Sequence, residues 1–204
     1  MNKKKKWLSL LLCLALLFSL CPQTVSAEEI FDGEQTEETC PFTITKTEGG
    51  GAASSGTDYD WDNTEKNLTI KTSDALTISM TDSETSPVTA RIIANKTGSS
   101  GSYTWTPINL TLAGVNITAP ANLEAALFTG GQISITLANG TTNTLTGGAV
   151  SSDTNNVYNS SGIYAGGALT ISGSGTLNAT GGAITTSSSG NSNRSTGILS
   201  GSSI

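Results

Sequence analysis

A strand-like segment of this chain occurs twice at a fixed distance. The segment from Phe128 to Ile135 returns as Tyr164 to Ile171, 36 positions later. Each copy runs through a Gly-Gly pair into alternating apolar residues, and a polar turn and a second short strand follow. A repeat of this kind predicts a solenoid, in which each repeat stacks on the next and presents a surface instead of enclosing a reaction centre.

A second spacing gives the length of one coil. Leu112 and Leu137 occupy matching positions 25 residues apart, which is about one turn of a parallel β-helix. The polar insert 151–161 accounts for the longer offset and predicts a loop at one corner, as does the insert 187–195. The Gly-Gly pairs predict tight corners with positive φ. Inward side chains are expected to form two ladders: Leu110, Ile135 and Ile171, and Ile108, Ile133 and Leu169.

The predicted fold class is all-β, and the predicted architecture is a right-handed parallel β-helix. Helix is close to excluded because Thr, Ser, Gly and Asn dominate and favour strands and turns; only residues 122–127 suggest a single helical turn. The chain ends on Gly201–Ile204, which looks like the opening of another strand, so we expect the solenoid to be incomplete there. A β-sandwich is the alternative, since it also has many short strands, but it does not predict a repeat at a fixed offset.

The N-terminal residues predict export. Lys3 to Lys6 precede an apolar stretch at 7–20 and a small-residue cleavage site at 25–27, so residues 1–27 are predicted to be a signal peptide. Residues 28–57 are acidic and Gly/Ser-rich and predict a flexible leader, with a short strand at 41–45. The β-helix domain is predicted at 58–204. The expected location is secreted or cell-surface, without membrane insertion after signal removal.

Composition excludes several functions. Without the signal peptide the chain has six basic and 16 acidic residues, a net charge of −10, which argues against nucleic acid and anionic membranes as partners. The chain has no histidine, and the predicted coils have almost no acid pair at a catalytic spacing, so we predict that it is not an enzyme. Cys40 is alone in the mature chain and is interpreted as an unpaired thiol.

Exposed aromatic rings and amides are the groups that commonly bind sugars. The candidate carbohydrate-binding residues lie beside a Gly/Ser loop and within the Asn-rich insert: Tyr103, Trp105, Asn155, Asn156 and Tyr158. The alternative is that Trp105 covers the apolar core and Tyr158 anchors a loop, because large aromatic side chains are usually buried in good part.

One run of acidic residues has a spacing compatible with a metal ion. Asp58, Asp60 and Asp62 alternate along a predicted strand, so their carboxylates share a face and suit Ca²⁺. The favoured alternative is a charged, edge-protecting first strand with Tyr59 and Trp61 on its other face. We therefore predict no cofactor, with calcium at these aspartates as the second interpretation.

Three segments carry a family resemblance: residues 109–117, 138–148 and 169–177. Through them the chain resembles, over about residues 57–204, the carbohydrate-binding β-helix domains of clostridial and related Gram-positive surface proteins. The middle segment, with its Asn-Gly-Thr turn, is the more specific of the three. The resemblance implies a right-handed parallel β-helix at the cell surface that binds plant-type polysaccharide, sometimes with calcium, and it implies no catalytic residues. The coils contain few aspartates, which argues against calcium and pectate.

The leading functional hypothesis is a non-catalytic binding module for a polysaccharide or cell-wall glycan. The second is a structural stalk or adhesin repeat that displays other domains. The third is a relic of a β-helix polysaccharide lyase. The sequence leaves the glycan, the anchor and the oligomeric state open.

Overall fold

The structure is a computed structural model that describes residues 39–81, 86–94, 96–97, 104–123, 125–152, 159–186 and 194–204. The predicted signal peptide and the first part of the predicted leader lie outside these residues. The described residues form strands and turns and contain no helix, so the all-β prediction is confirmed. Accordingly, no segment among them is a helix that could cross a membrane.

Three sheets contain most of the described strands. Sheet A has the order β1 (Phe42–Lys46), β4 (Leu76–Met80), β9 (Ile108–Leu112), β12 (Ile133–Leu137), β16 (Leu169–Gly173). Sheet B has the order β19 (Arg194–Ser200), β15 (Asn159–Ala165), β11 (Ala125–Thr129), β6 (Arg91–Ala94), β3 (Asn67–Ile70), β2 (Tyr59–Asp62). Sheet C has the order β17 (Thr176–Thr180), β13 (Thr142–Thr146), β10 (Asn116–Thr118), β5 (Val88–Thr89). Two small sheets pair β7 (Lys96–Thr97) with β8 (Thr104–Trp105) and β14 (Val150–Ser152) with β18 (Ile184–Thr186).

From β4 onward the chain visits sheet A, sheet C and sheet B in the same order four times. Successive visits to one sheet pair in parallel. Both predicted ladders are confirmed, since Ile133 pairs with Ile108 and Leu169, and Ile135 pairs with Leu110 and Ile171. Leu112 also pairs with Leu137, the two residues whose spacing gave the predicted coil length.

One apolar core receives side chains from all three sheets. Sheet A contributes the ladders above, sheet B contributes residues such as Leu127 and Ile163, and sheet C contributes Ile117 and Leu145. All of these side chains except the partly buried Ile171 are buried, and each buried one contributes about 1.5–3 kcal/mol relative to an exposed position. The alternation of buried and outward residues along each strand therefore fixes the register of the stack.

The first strands pair differently. β1 is antiparallel to β4 and β2 is antiparallel to β3, so sheets A and B are mixed, which is also compatible with the sandwich-like alternative. The short strand predicted at 41–45 is confirmed as β1, and Phe42 and Ile44 are buried in the core. β1 lies within the predicted leader 28–57, and its pairing with β4 holds residues 42–46 in sheet A.

The helical turn predicted at 122–127 is wrong for its second half. Asn122 lies in a turn with a φ of 63°, but Ala125–Thr129 is strand β11, between β6 and β15. Ala and Leu favour helix when isolated, and here their burial between two parallel partners overrides that preference.

Both predicted inserts are shorter than expected. Residues 151–152 belong to β14 and residues 159–161 to β15, while residues 194–195 belong to β19. The parallel pairing of β14 with β18 explains why polar serines at the start of the first insert are strand residues. The rest of each insert, at 153–158 and 187–193, lies outside the described residues.

The predicted role of the Gly-Gly pairs is also wrong. Positive φ values occur at glycines such as Gly114, Gly140 and Gly173 but at neither member of the four pairs of the repeat region, which are Gly130–Gly131, Gly147–Gly148, Gly166–Gly167 and Gly181–Gly182. The pairs are needed for close approach instead. A Cβ at Gly148 would overlap the carbonyl oxygen of Pro120, and a Cβ at Gly182 would overlap the backbone of Gly148. These glycines let neighbouring segments of backbone pack against one another.

The turn that carries the most specific family resemblance has a structural role. Asn143 is fully buried, and its side-chain oxygen accepts hydrogen bonds from the backbone N–H groups of Gly114 and Val115, both at 2.9 Å. Its amide nitrogen donates to the carbonyl oxygen of Thr176 at 3.3 Å. One side chain therefore joins β13 to the turn before β10 and to the start of β17.

Candidate functional site

Two aromatic rings stack on the outer surface of sheet B. Along β11, Leu127 and Thr129 are buried, so Phe128 between them points outward and is half-buried. Tyr164 of β15 is in register with Phe128. Their ring centroids are 5.1 Å apart and the planes differ by 9°, which is a stacked arrangement. The parallel register of sheet B therefore builds an aromatic pair from two copies of the repeat.

Trp105 of β8 completes this surface. Its ring is 5.6 Å from that of Phe128, in an edge-to-face arrangement at 65°. A Cβ at Gly130 would meet Cε2, Nε1 and Cδ2 of the indole first. Cε2 and Cδ2 are joined by the bond that the two rings of the indole share. This bond lies inside the ring system and not on its edge, so the flat face of the indole lies over Gly130. Any side chain at this glycine would displace it.

A positive charge lies beside the rings. The guanidinium carbon of Arg91 is 4.8 Å from the centroid of Phe128, within the range of a cation–π contact. We refer to Arg91, Trp105, Phe128 and Tyr164 as the aromatic face. All four are half-buried, so part of each side chain is accessible to solvent. Tyr164 and Arg91 cover the Phe128 ring from the two neighbouring strands, so the arrangement offers a compact aromatic cluster with a cation within it.

Only one of the predicted sugar-binding residues can be placed. Trp105 lies in the aromatic face, whereas Tyr103, Asn155, Asn156 and Tyr158 lie outside the described residues. Our sequence reasoning missed Phe128 and Tyr164 as site residues. They begin the two copies of the repeat, and alternation from the buried apolar residues that follow would have placed both on the outer face.

The three aspartates of the predicted metal site have separate partners. Asp58 is buried, accepts a hydrogen bond from the backbone N–H of Ser54 at 2.8 Å, and lies 3.4 Å from Lys46 Nζ. Asp60 pairs with Lys71 at 2.9 Å. Asp62 accepts hydrogen bonds from the backbone N–H groups at positions 64 and 65. Each carboxylate is therefore occupied by the protein.

The described residues contain no group of three or more His, Cys, Asp or Glu side chains arranged to hold a metal ion. Ca²⁺ requires six to eight oxygen ligands, so calcium at the three aspartates stays a prediction that this geometry does not support. The geometry is compatible with the favoured alternative of a charged edge strand, although β1 precedes this strand in the chain. β2 is the edge strand of sheet B, with Asp60 and Asp62 exposed and Tyr59 and Trp61 half-buried.

Asp58 gives a testable dependence of stability on pH. The Ser54 N–H group, with the nearby ammonium of Lys46, holds the pKa of Asp58 below its usual value. The ionised carboxylate therefore stabilises the fold above about pH 4, the pKa of an unfolded Asp, and that contribution is lost as pH falls through the lower folded pKa. Asp58→Asn is expected to lower the Tm at pH 7, and the gap to wild type should close in acid. Thermal unfolding followed by circular dichroism from pH 7 to pH 2.5 measures this difference in Tm.

Asp60→Asn, at an exposed ion pair, is the control and should show a smaller difference in Tm from wild type. A Tm difference for Asp58→Asn that is constant with pH would contradict the assignment.

Cys40 is a free thiol beside the core. Burial raises the pKa of its thiol, an effect partly opposed by a backbone hydrogen bond at Phe42. Less thiolate forms at neutral pH, which favours the interpretation of Cys40 as an unpaired thiol over a reactive one.

The comparisons with known proteins bear on the segment that carries the three aromatic rings. Residues 102–192 match the model of a family described as carbohydrate-binding domain-containing protein. The matched segment contains Trp105, Phe128 and Tyr164, and it ends before the last strand. No curated protein and no solved structure matches the chain. The family match supports a carbohydrate-binding module in this part of the chain.

Proposed function

We propose that this chain is a non-catalytic polysaccharide-binding module of a secreted or cell-surface protein, and that the aromatic face is its binding site. The observation that carries the proposal is the coincidence of two findings. The segment that matches a carbohydrate-binding family is the segment that supplies Trp105, Phe128 and Tyr164.

The scaffold we propose is a right-handed parallel β-helix. The repeated order of sheets A, C and B and the parallel registers between successive visits support it. Right-handedness is the expectation from the crossover rule, which holds in about 98% of connections between parallel strands. Such a scaffold holds residues of successive coils about 4.8 Å apart, so it presents a ligand surface without further ordering.

Binding would use the apolar face of a sugar ring against the aromatic rings. Trp105 is preorganised, because its indole lies over Gly130 and its edge meets Phe128. A rigid surface loses little conformational entropy when ligand binds. The guanidinium of Arg91 would donate hydrogen bonds to sugar hydroxyl groups. Tyr103, Asn155, Asn156 and Tyr158 lie outside the described residues and stay predicted carbohydrate-binding residues. No bond is made or broken in this function.

Trp105 provides the direct test of the proposal. Trp105→Ala is expected to raise the Kd for a retained polysaccharide roughly thirtyfold, because truncating an anchoring aromatic typically costs about 2 kcal/mol. Trp105→Phe should lose less, since a ring remains. The measurement is affinity electrophoresis through gels that contain soluble cellulose, pectin or mucin glycans, followed by titration on whichever ligand retards the protein.

Thr142→Ala, at an exposed position on sheet C, is the matched control and should bind like wild type. Circular dichroism must show that each variant is folded. If wild type is retained by none of the glycans, the proposal fails and a structural stalk or adhesin repeat replaces it. If Trp105→Ala binds as tightly as wild type, the aromatic face is not the site. Release of reducing or unsaturated sugar ends would instead favour an enzyme.

A further inference from the structure

A polar cleft of 480 Å³ lies apart from the aromatic face. Its lining comes from Lys46 and Glu48 at and after the end of β1, from the turn before β4, and from β9: Lys46, Glu48, Ser73, Asp74, Ala75 and Asn109. Asn109 is exposed between the buried Ile108 and Leu110, so the cleft is on the outer side of sheet A. A volume of this size falls within the range of about 300–1,000 Å³ that is usual for small-ligand sites.

The charges around the cleft are unbalanced. The ammonium of Lys46 is 3.1 Å from Asp74 and 3.4 Å from Asp58, so two carboxylates already neutralise it. The same contacts, first the hydrogen bond that Lys46 donates to Asp74, hold the pKa of Lys46 above its usual value, so it stays protonated. Glu48 has no cationic partner within the part of the chain that the structure describes. The cleft lining thus carries two carboxylates, Glu48 and Asp74, against the one ammonium of Lys46, which Asp58 also contacts.

From this geometry we propose that the cleft is a second ligand site, which binds a saccharide bearing a free amino group. The ammonium of a 2-amino sugar would pair with Glu48, and its hydroxyl groups would hydrogen-bond to Ser73, Asp74 and Asn109. A uronic acid would be repelled by the excess carboxylates, and a neutral or N-acetylated sugar would leave Glu48 without a partner. The proposal does not rest on the aromatic face, which is on another sheet.

The surface beyond the cleft suits a ligand longer than one sugar. Asn109 is in register with Ser134 of β12, and Ser134 is in register with Thr170 of β16. These outward polar side chains form a row with a spacing of about 4.8 Å. The row begins at the cleft and offers hydroxyl and amide groups to the next units of an oligosaccharide.

The test compares two trisaccharides by calorimetric titration of the full chain at one pH and ionic strength. One is the β-1,4-linked trisaccharide of glucosamine, and the other is its fully N-acetylated form. The free-amine trisaccharide is expected to bind at least tenfold more tightly. Glu48→Gln should weaken its binding roughly tenfold, the value of one lost charged contact of about 1.4 kcal/mol. Glu65→Gln, at an exposed glutamate that does not line the cleft, is the matched control and should bind like wild type.

Three outcomes would overturn the proposal. The first is equal binding of the two trisaccharides, and the second is an equal effect of Glu48→Gln and Glu65→Gln on binding. The third is competition by spermidine as strong as that by the amino sugar, which would indicate attraction by charge alone. Trp105→Ala separates the two sites and should leave amino-sugar binding unchanged; loss of binding would place the amine on the aromatic face and refute a second site. Retention of the amino sugar by a wild-type chain that binds no neutral polysaccharide would refute the proposed function and leave this inference standing.

Discussion

Replacing Gly148 with alanine is expected to destabilise the fold by about 3 kcal/mol, the upper end for overpacking. The added methyl group would overlap the carbonyl oxygen of Pro120, and a backbone atom cannot move aside as a flexible side chain can. Gly148 is also enclosed from the other side, because its own carbonyl oxygen lies against Gly182 and accepts a hydrogen bond from Ser160 Oγ at 2.7 Å. In a chain of this size the loss corresponds to roughly 6–12 °C in Tm.

Gly51→Ala is the matched control for this prediction. A Cβ at Gly51 would meet no atom within 4 Å, and its φ is not positive. Its Tm should therefore lie within about 4 °C of that of wild type, since an unstrained Gly-to-Ala change alters stability by less than about 1 kcal/mol. Thermal unfolding followed by circular dichroism compares the three proteins. Equal Tm values for Gly148→Ala and Gly51→Ala would show that the close approach at Gly148 relaxes without cost.

The register of the stack could be predicted because the sequence repeats it. Ile108, Ile133 and Leu169 stand at the same place in three successive segments, and alternation of apolar and polar residues assigns them to the inside. The strand β11 could not be predicted in this way. Its residues Ala125 to Leu127 have no polar alternation, and only pairing with β6 and β15 makes them a strand.

The candidate site was predictable only in part. Trp105 was identified by its residue type, but its contact with Phe128 depends on the path from β8 to β11, which the sequence does not specify. The pairing of Phe128 with Tyr164 follows from the repeat. The cleft near sheet A could not be inferred, because Lys46, Asp74 and Asn109 are distant in sequence and meet only when β1 adds to β4 antiparallel.

The glycine pairs show where composition alone misleads. Gly-Gly in a turn suggests positive φ, yet none of these pairs has a positive φ. Glycine is needed at these positions because the neighbouring atoms leave no space for a side chain. The distinction has a consequence for variants. Asn or Asp can replace a glycine that needs only a positive φ, but no side chain fits where the backbone itself is the neighbour.

The second large effect is expected at Asn143, the residue that joins three segments of backbone. Asn143→Ala would leave the buried N–H groups of Gly114 and Val115 without their acceptor, and each such group costs about 1–3 kcal/mol. We expect a loss of about 3 kcal/mol and a fall in Tm of roughly 6–12 °C. Asn178→Ala, at an exposed position of the neighbouring strand β17, is the control and should change Tm by less than about 2 °C.

A second variant distinguishes the hydrogen bonds from simple packing. Asn143→Asp has nearly the same shape and keeps the acceptor for both N–H groups, but it replaces the donor that faces the Thr176 carbonyl with a second oxygen. The buried negative charge should destabilise the fold at pH 7, and protonation restores a donor, so its Tm relative to wild type should rise as pH falls toward 4. Thermal unfolding followed by circular dichroism at pH 7 and pH 4 measures both differences in Tm. If Asn143→Ala and Asn143→Asp were equally stable at both pH values, packing and not hydrogen bonding would be the role of this residue.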